Sequence, residues 1–141
     1  MPEDNGPERV TTTAIEQIVS RARAAAPEEC CGVLIGSRAG VAEAVATRNL
    51  AETPTTRFLI DPKGHLDALR DARRRGLDVV GFYHSHPRTA ALPSPTDLAE
   101  ASYPDHLFLI VGLSLPTPDL RLYRFTGDAF VRVPFICLSE G

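Results

Sequence analysis

Three helices are predicted along the chain. Apolar residues recur every three or four positions in an early segment, which predicts an amphipathic helix over residues 13–26 with Thr13 as its N-cap. The same spacing returns in a second segment and predicts a helix over residues 63–75, which Gly76 ends. A third, short helix is predicted over residues 95–102. Each helix needs a second layer against which its apolar face can pack.

Strands are predicted between and after these helices, where β-branched and small apolar residues are concentrated. The predicted strands cover residues 31–36, 41–50, 57–60, 77–83, 106–113, 119–126 and 129–137. Residues 77–83 are almost entirely apolar, which indicates a strand buried on both faces. The pattern predicts an α/β fold with a central mixed β-sheet flanked by helices. We expect a single domain over residues 1–141, with a loose N-terminal segment over residues 1–9.

The composition excludes several functional classes. The net charge is −3, which argues against a broad basic surface for nucleic acid. No apolar run approaches the roughly 20 residues that cross a bilayer, and the polar N-terminal residues do not resemble a signal peptide. Three cysteines, of which Cys30 and Cys31 are adjacent and Cys137 is distant, do not form a secreted disulfide framework. We therefore expect a cytoplasmic protein that binds neither nucleic acid nor a membrane.

The most distinctive chemistry begins at the end of the apolar strand. His84 and His86 follow it directly, and in an extended chain residues two apart point to the same side. The two imidazoles are therefore placed to bind one metal ion, with Ser85 pointing away. Pro87 ends the strand because it has no amide hydrogen.

Ser94 and Asp97 have two interpretations. Ser-Pro-Thr-Asp matches a helix N-cap with proline at the first helical position, which would explain both residues without a metal. A capped turn beside the histidines would also bring a carboxylate to them. Two histidines and one carboxylate are the protein ligands of a catalytic zinc that keeps a fourth position open. We predict one Zn²⁺ per chain, bound by His84, His86 and Asp97.

Hydrolysis at such a zinc also requires a base beside the metal. Glu28 and Glu29 both precede the strand predicted over residues 31–36, and physical reasoning does not separate them. The two remaining histidines, His65 and His106, are interpreted as structural or exposed.

Taken together, these segments resemble the JAMM (MPN-plus) metalloprotease family. The resemblance rests on Glu-Cys-Cys-Gly from residue 29, Tyr-His-Ser-His-Pro from residue 83 and Ser-Pro-Thr-Asp from residue 94, in the family's order and spacing. It implies a cytidine-deaminase-like sandwich. It also implies that Glu29, rather than Glu28, acts through the bound water, and that Ser94 donates a hydrogen bond to the oxyanion.

The resemblance further implies the substrate. Family members cleave amide bonds at the C-terminal glycine tail of ubiquitin or ubiquitin-like proteins, and this chain resembles the stand-alone prokaryotic branch. The implied substrates are ubiquitin-like or sulfur-carrier proteins, from which the enzyme releases cysteine or which it trims to Gly-Gly. Such a tail is thin enough to lie along an extended segment, and residues 57–60 and the chain after Pro87 are the predicted walls of its groove.

Three other functions are disfavoured by the sequence. A zinc deaminase requires a Cys-x-x-Cys pair, which is missing. A cysteine peptidase based on Cys31 is disfavoured because a thiol at the start of a buried strand is usually inert. A metal-free scaffold that only binds a protein partner is the remaining alternative, although all the metal ligands of the motif are present.

Overall fold

The computed structural model describes residues 6–139. Within them the helices are α1 (Thr12–Ala25), α2 (Pro62–Arg74) and α3 (Pro95–Glu100). The strands are β1 (Glu8–Thr11), β2 (Cys31–Ser37), β3 (Gly40–Thr47), β4 (Asp78–His86), β5 (Leu107–Gly112), β6 (Asp119–Phe125), β7 (Phe130–Val133) and β8 (Phe135–Leu138). In this part of the chain no helix is both long and apolar enough to cross a bilayer.

One mixed sheet forms the centre of the fold, with strand order β7-β6-β5-β4-β2-β3-β1-β8. Alternate side chains of the central strands enter two separate cores. Tyr83 lies in the core that also contains the buried face of α1, whereas Phe82 lies in the core that contains the buried face of α2. The predicted α/β fold with a central mixed β-sheet flanked by helices is confirmed.

The central position of β4 determines where the site lies. This strand pairs with β2 on one side in antiparallel orientation and with β5 on the other side in parallel orientation. His84 and His86 are its last alternate residues and lie on the α2 side, as Phe82 does. Both imidazoles therefore project from a strand that is supported on both edges.

The N-terminal region differs from the prediction. A loose segment was expected over residues 1–9, but its last two residues belong to β1. Residues 1–5 lie outside the described part of the chain. The prediction that Thr13 caps α1 was wrong, because α1 begins at Thr12 and its N-cap is therefore Thr11. That residue has extended backbone angles, and its side chain accepts the N–H of Ala14 at 3.1 Å.

The strand predicted over residues 57–60 does not form. Only Ile60 makes an isolated bridge, to Asn49. The Leu59 N–H donates instead to the Asn49 side chain at 2.9 Å, so an amide side chain takes the place of a neighbouring strand. The last residue of this segment, Ile60, packs against the core on the α2 side of the sheet.

The strand predicted over residues 129–137 is divided at Pro134, and its two parts lie at opposite edges of the sheet. β7 pairs with β6 at one edge, and β8 pairs in parallel with β1 at the other. Because one residue joins these edges, the sheet must curl until they approach each other. The Pro134 carbonyl accepts the Glu8 N–H at 3.0 Å, and Arg124 reaches the Glu8 carboxylate at 3.4 Å.

Candidate active site

The two histidines of β4 converge on one point. The Nε2 atoms of His84 and His86 are 3.2 Å apart, and both residues are buried. His86 Nδ1 lies 3.0 Å from the Ala90 carbonyl, which fixes Nδ1 as a protonated nitrogen and turns Nε2 toward the site. His84 is held differently, because its ring stacks on Phe58 with a centroid separation of 4.2 Å.

Helix α3 brings a carboxylate to the same point. Asp97 Oδ2 is 3.2 Å from His84 Nε2 and 3.1 Å from His86 Nε2. The same carboxylate oxygen accepts the Ser94 N–H at 2.9 Å, and Ser94 Oγ accepts the Asp97 N–H at 2.9 Å. This capping box and the approach to the histidines occur together. The two interpretations of Ser-Pro-Thr-Asp are thus compatible.

The three atoms have the spacing that a zinc ion requires. Two histidine nitrogens and one carboxylate oxygen form a triangle with sides of 3.1–3.2 Å. Ligands placed 2.0–2.1 Å from a tetrahedral zinc are separated by roughly 3.3 Å. Nitrogen and carboxylate donors are also the types that zinc prefers. The residues present therefore fit the ion implied by the sequence motif.

Glu29 lies at the edge of this triangle, in the turn just before β2. One of its carboxylate oxygens lies within 4.8 Å of nitrogens of both His84 and His86, so a His-His-Glu group is a second arrangement that could hold a metal. Its side chain is buried, whereas Glu28 is exposed. The structure thus separates the two glutamates that sequence reasoning left open. Glu29 Oε1 is buried without a hydrogen-bond partner among the described residues.

Burial and mutual contact shift the pKa values of these groups. Burial raises the pKa of Glu29 to about 7, although the nearby His86 acts in the opposite direction. Burial lowers the pKa of His84. For Asp97, burial opposes ionisation, but hydrogen bonds from both histidines outweigh it and hold the pKa well below its usual range. One carboxylate is therefore firmly ionised, and the other changes its protonation near neutral pH.

The raised pKa of Glu29 predicts a pH-dependent stability difference in the metal-free protein. Above pH 7 the native state buries an ionised carboxylate, so Glu29→Gln is expected to be more stable than the parent by about 1–3 kcal/mol at pH 8. The gain should shrink as pH falls through 7 and vanish near pH 4.5, where the carboxyl group is neutral in both states. Urea unfolding in the presence of a chelator measures it. Glu28→Gln is the exposed control, and a gain independent of pH would contradict the prediction.

The remaining histidines and the candidate thiol lie outside this arrangement. His65 and His106 pack against Phe82 and other aromatic rings rather than against the triangle, in agreement with the structural role expected for them. Burial raises the pKa of the Cys31 thiol to about 11, which disfavours the thiolate that a cysteine peptidase needs.

Sequence reasoning missed two residues that support the site. Phe58 covers one ring face of His84, and Asn49 connects the segment of Phe58 to Glu29 through side-chain hydrogen bonds. The available signal was the position of Asn49 at the end of the strand predicted over residues 41–50, where an amide side chain often bonds nearby backbone groups. The partners of that amide lie in separate segments and depend on the fold.

A largely apolar cavity of about 380 Å³ opens beside His84 and Asp97. Its lining includes Phe58, Ile60, Phe82, Tyr103, Phe108 and Phe130. The predicted wall at residues 57–60 lines it, whereas the chain after Pro87 contributes only from Thr96 onward. The cavity is therefore bounded by residues 57–60 on one side and by α3 and the loop after it on the other.

Comparisons with known proteins agree with this geometry. Residues 11–126 match the family described as prokaryotic homologs of the JAB domain. The chain is 38% identical over 125 residues to a desampylase of Haloferax volcanii. This alignment covers 83% of this chain and 86% of the relative. It is 32% identical over 122 residues to a CysO-cysteine peptidase of Mycobacterium tuberculosis, with coverage of 85% and 84%. A solution structure of a Desulfitobacterium hafniense protein aligns with a TM-score of 0.84 at 31% identity, over 94% of this chain and 93% of that protein.

Proposed function

The chain belongs to the family of prokaryotic homologs of the JAB domain, and on that basis we propose that it is a zinc-dependent peptidase. Its reaction is hydrolysis of an amide bond at the C-terminal glycine tail of a ubiquitin-like or sulfur-carrier protein. The observation that carries the proposal is the convergence of His84, His86 and Asp97 on one point with the buried Glu29 beside them. The relatives named desampylase and CysO-cysteine peptidase support the same substrate class.

The proposed metal ligands are His84 Nε2, His86 Nε2 and Asp97 Oδ2. When bound, zinc supplies a Lewis acid that makes a water molecule more acidic and polarises a carbonyl group. The ionised Asp97 also neutralises part of the metal charge. The Ala90 carbonyl holds His86 in the tautomer whose Nε2 faces the ion.

Glu29 is the proposed general base and acid. As water attacks the scissile carbonyl carbon, the Glu29 carboxylate takes a proton from that water. It then passes the proton to the leaving nitrogen as the C–N bond breaks, which returns the carboxylate to its first state. A group with a pKa near the working pH does both steps well, and burial places the pKa of Glu29 at about 7 in the metal-free protein.

Ser94 is the proposed donor to the oxyanion. Its Oγ accepts the Asp97 N–H in the capping box, and a hydroxyl group that accepts one bond still has its hydrogen to donate. Capping α3 and stabilising negative charge on the substrate oxygen are therefore compatible roles for one hydroxyl group.

Ser94→Ala is expected to lower kcat by about 10²–10³-fold if the hydroxyl hydrogen stabilises the oxyanion. Loss of the cap alone would lower the free energy of unfolding by about 1 kcal/mol and leave kcat unchanged. Steady-state kinetics and urea unfolding of the same variant separate the two effects. Thr11→Ala, which removes the cap of α1 away from the metal ligands, is the matched control and should show only the loss of stability.

The segment at residues 57–60 is the proposed guide for the substrate tail. It lines the cavity from Arg57 to Ile60 and leads to His84, so a thin Gly-Gly tail laid along it would reach the zinc ligands. The apolar lining suits a substrate side chain that precedes the glycines. Cleavage in the cytosol is part of this proposal.

The direct test uses purified protein and a carrier extended past Gly-Gly. We expect one zinc per chain by elemental analysis and a product that ends at Gly-Gly by mass spectrometry. Removal of the metal with a chelator should stop cleavage, and added zinc should restore it. A protein that binds the carrier without cleaving it, with zinc present, would identify the scaffold alternative instead.

A further inference from the structure

The backbone of Glu29 is not part of the sheet. Strand β2 begins only at Cys31, and the first sheet contact before it is at Cys30, whose N–H donates to Ser85 Oγ at 2.8 Å. The peptide groups of Glu29 bond elsewhere. Its N–H donates to the Pro54 carbonyl at 2.7 Å, and its carbonyl accepts a hydrogen from the Asn49 side chain at 3.0 Å. The loop that follows β3 therefore holds the backbone of this residue.

Asn49 is the centre of that loop. Its Nδ2 donates to the carbonyls of Glu29 and Arg57, each at 3.0 Å. Its Oδ1 accepts the N–H groups of Ala51 at 3.0 Å and Leu59 at 2.9 Å. One side-chain amide thus uses both donor hydrogens and both acceptor positions, which is its full capacity. All four partners are backbone groups, so their positions do not depend on rotamer changes.

The same amide connects Glu29 to His84. Arg57 and Leu59, which it binds, flank Phe58, and the Phe58 ring stacks on His84 at 4.2 Å. Displacing Asn49 would therefore shift Glu29 and Phe58, whereas His84 lies on β4, which is paired on both edges and stays in place.

We propose that Asn49 is a positioning residue that fixes the Glu29 carboxylate relative to His84. The inference rests on the proposed function, because Glu29 is assigned there as the proton carrier. Transfer of a proton to and from a reacting atom depends on heavy-atom distances of about 2.6–3.2 Å, so a displacement near 1 Å in the backbone of Glu29 reduces turnover strongly.

Two substitutions separate the donor role of the Asn49 amide from its acceptor role. Asn49→Asp keeps an acceptor for Ala51 and Leu59, so the loop stays anchored, but it loses both donor hydrogens and sets a carboxylate against the Glu29 carbonyl. Asn49→Ala loses all four bonds. If Asn49 acts through Glu29, both variants should lower kcat by about 10–100-fold with zinc affinity retained, and Asn49→Asp, in which Leu59 keeps its acceptor, should change KM little. If Asn49 only anchors the loop, Asn49→Asp should keep the parental kcat.

Amide hydrogen exchange supplies a readout that is independent of turnover. In zinc-loaded Asn49→Asp we expect the Glu29 amide to exchange faster by about tenfold or more, because the Glu29 carbonyl loses its donor and faces a carboxylate, which loosens the bond from the Glu29 N–H to Pro54. The Ser85 amide, bonded to the Cys30 carbonyl beside the sheet, should be unaffected. Ser37→Ala is the control variant. It removes a comparable bond, from the Ala39 N–H to Ser37 Oγ in the β2–β3 turn, and should change neither kcat nor the Glu29 amide.

The inference is overturned if Asn49→Asp has parental kcat, or if kcat falls while exchange at Glu29 stays at the parental rate. Should Asn49→Asp fail to fold, Asn49→Ser replaces it, since its hydroxyl is too short to reach both carbonyls, and the same criteria apply. A parent protein that binds zinc but cleaves no carrier would refute the proposed function. Exchange at Glu29 would still decide whether Asn49 fixes its position.

Discussion

Glu29→Gln is expected to bind zinc as the parent does and to lose turnover by about 10²–10⁴-fold. The amide has the size of the carboxylate but cannot take a proton from water and return it to the leaving nitrogen. Elemental analysis for zinc, together with single-turnover cleavage of an extended carrier, measures both quantities on one preparation.

Glu28→Gln is the matched control for this prediction. The substitution is identical and lies one position earlier, but Glu28 is exposed and Glu29 is buried beside the histidines. We expect parental zinc content and parental turnover. Equal turnover in Glu29→Gln and the parent would refute the proton-transfer role, and equal loss in both variants would show that the charge of the turn, rather than one carboxylate, matters.

Asp97→Asn is expected to weaken zinc binding by at least about 100-fold. This loss exceeds the roughly 10–100-fold that is usual when the substituted residue only hydrogen-bonds to a metal-binding residue. The carboxylate supplies a negative charge to the ion, and hydrogen bonds from both histidines already keep it ionised. A chelator competition measures the change. Asp61→Asn is the control, because Asp61 also caps a helix with its carboxylate, at the start of α2, and should leave zinc affinity unchanged.

These two variants together decide the ligand set. If Asp97→Asn retains zinc and Glu29→Gln loses it, the His-His-Glu group rather than the proposed triangle binds the ion. The proton carrier would then have to be sought elsewhere. Loss of zinc in Asp97→Asn with retention in Glu29→Gln supports the proposed division of roles.

Local rules were enough to place the three residues that we propose as metal ligands. Side chains of an extended strand alternate between its two faces, so His84 and His86 lie on the same face. The Ser-Pro-Thr-Asp cap places Asp97 at the start of a helix. The α/β fold and most element positions also followed from periodicity. Physical reasoning from the sequence did not decide whether Glu28 or Glu29 lies beside the histidines. That choice depends on hydrogen bonds from a loop that is distant in sequence.

The failed predictions have a similar cause. The segment at residues 57–60 has the composition of a strand, but Asn49 supplies the bonds that a neighbouring strand would have made. The segment at residues 129–137 is apolar apart from Arg132 and Pro134, and only Pro134, with no amide hydrogen, indicates that it changes edge. Periodicity predicts local conformation and does not identify the partner.

The joining of the two sheet edges at Pro134 has a consequence for the order of assembly. β1 pairs with β8, which lies near the opposite end of the chain, so this contact has a high loop-closure cost and is expected to form late. The pairing of β2 with β3 is local, and that of β2 with β4 is closer in sequence, so both are available earlier. We therefore expect β4, which carries both histidines, to pair with β2 before β1 and β8 pair and close the sheet.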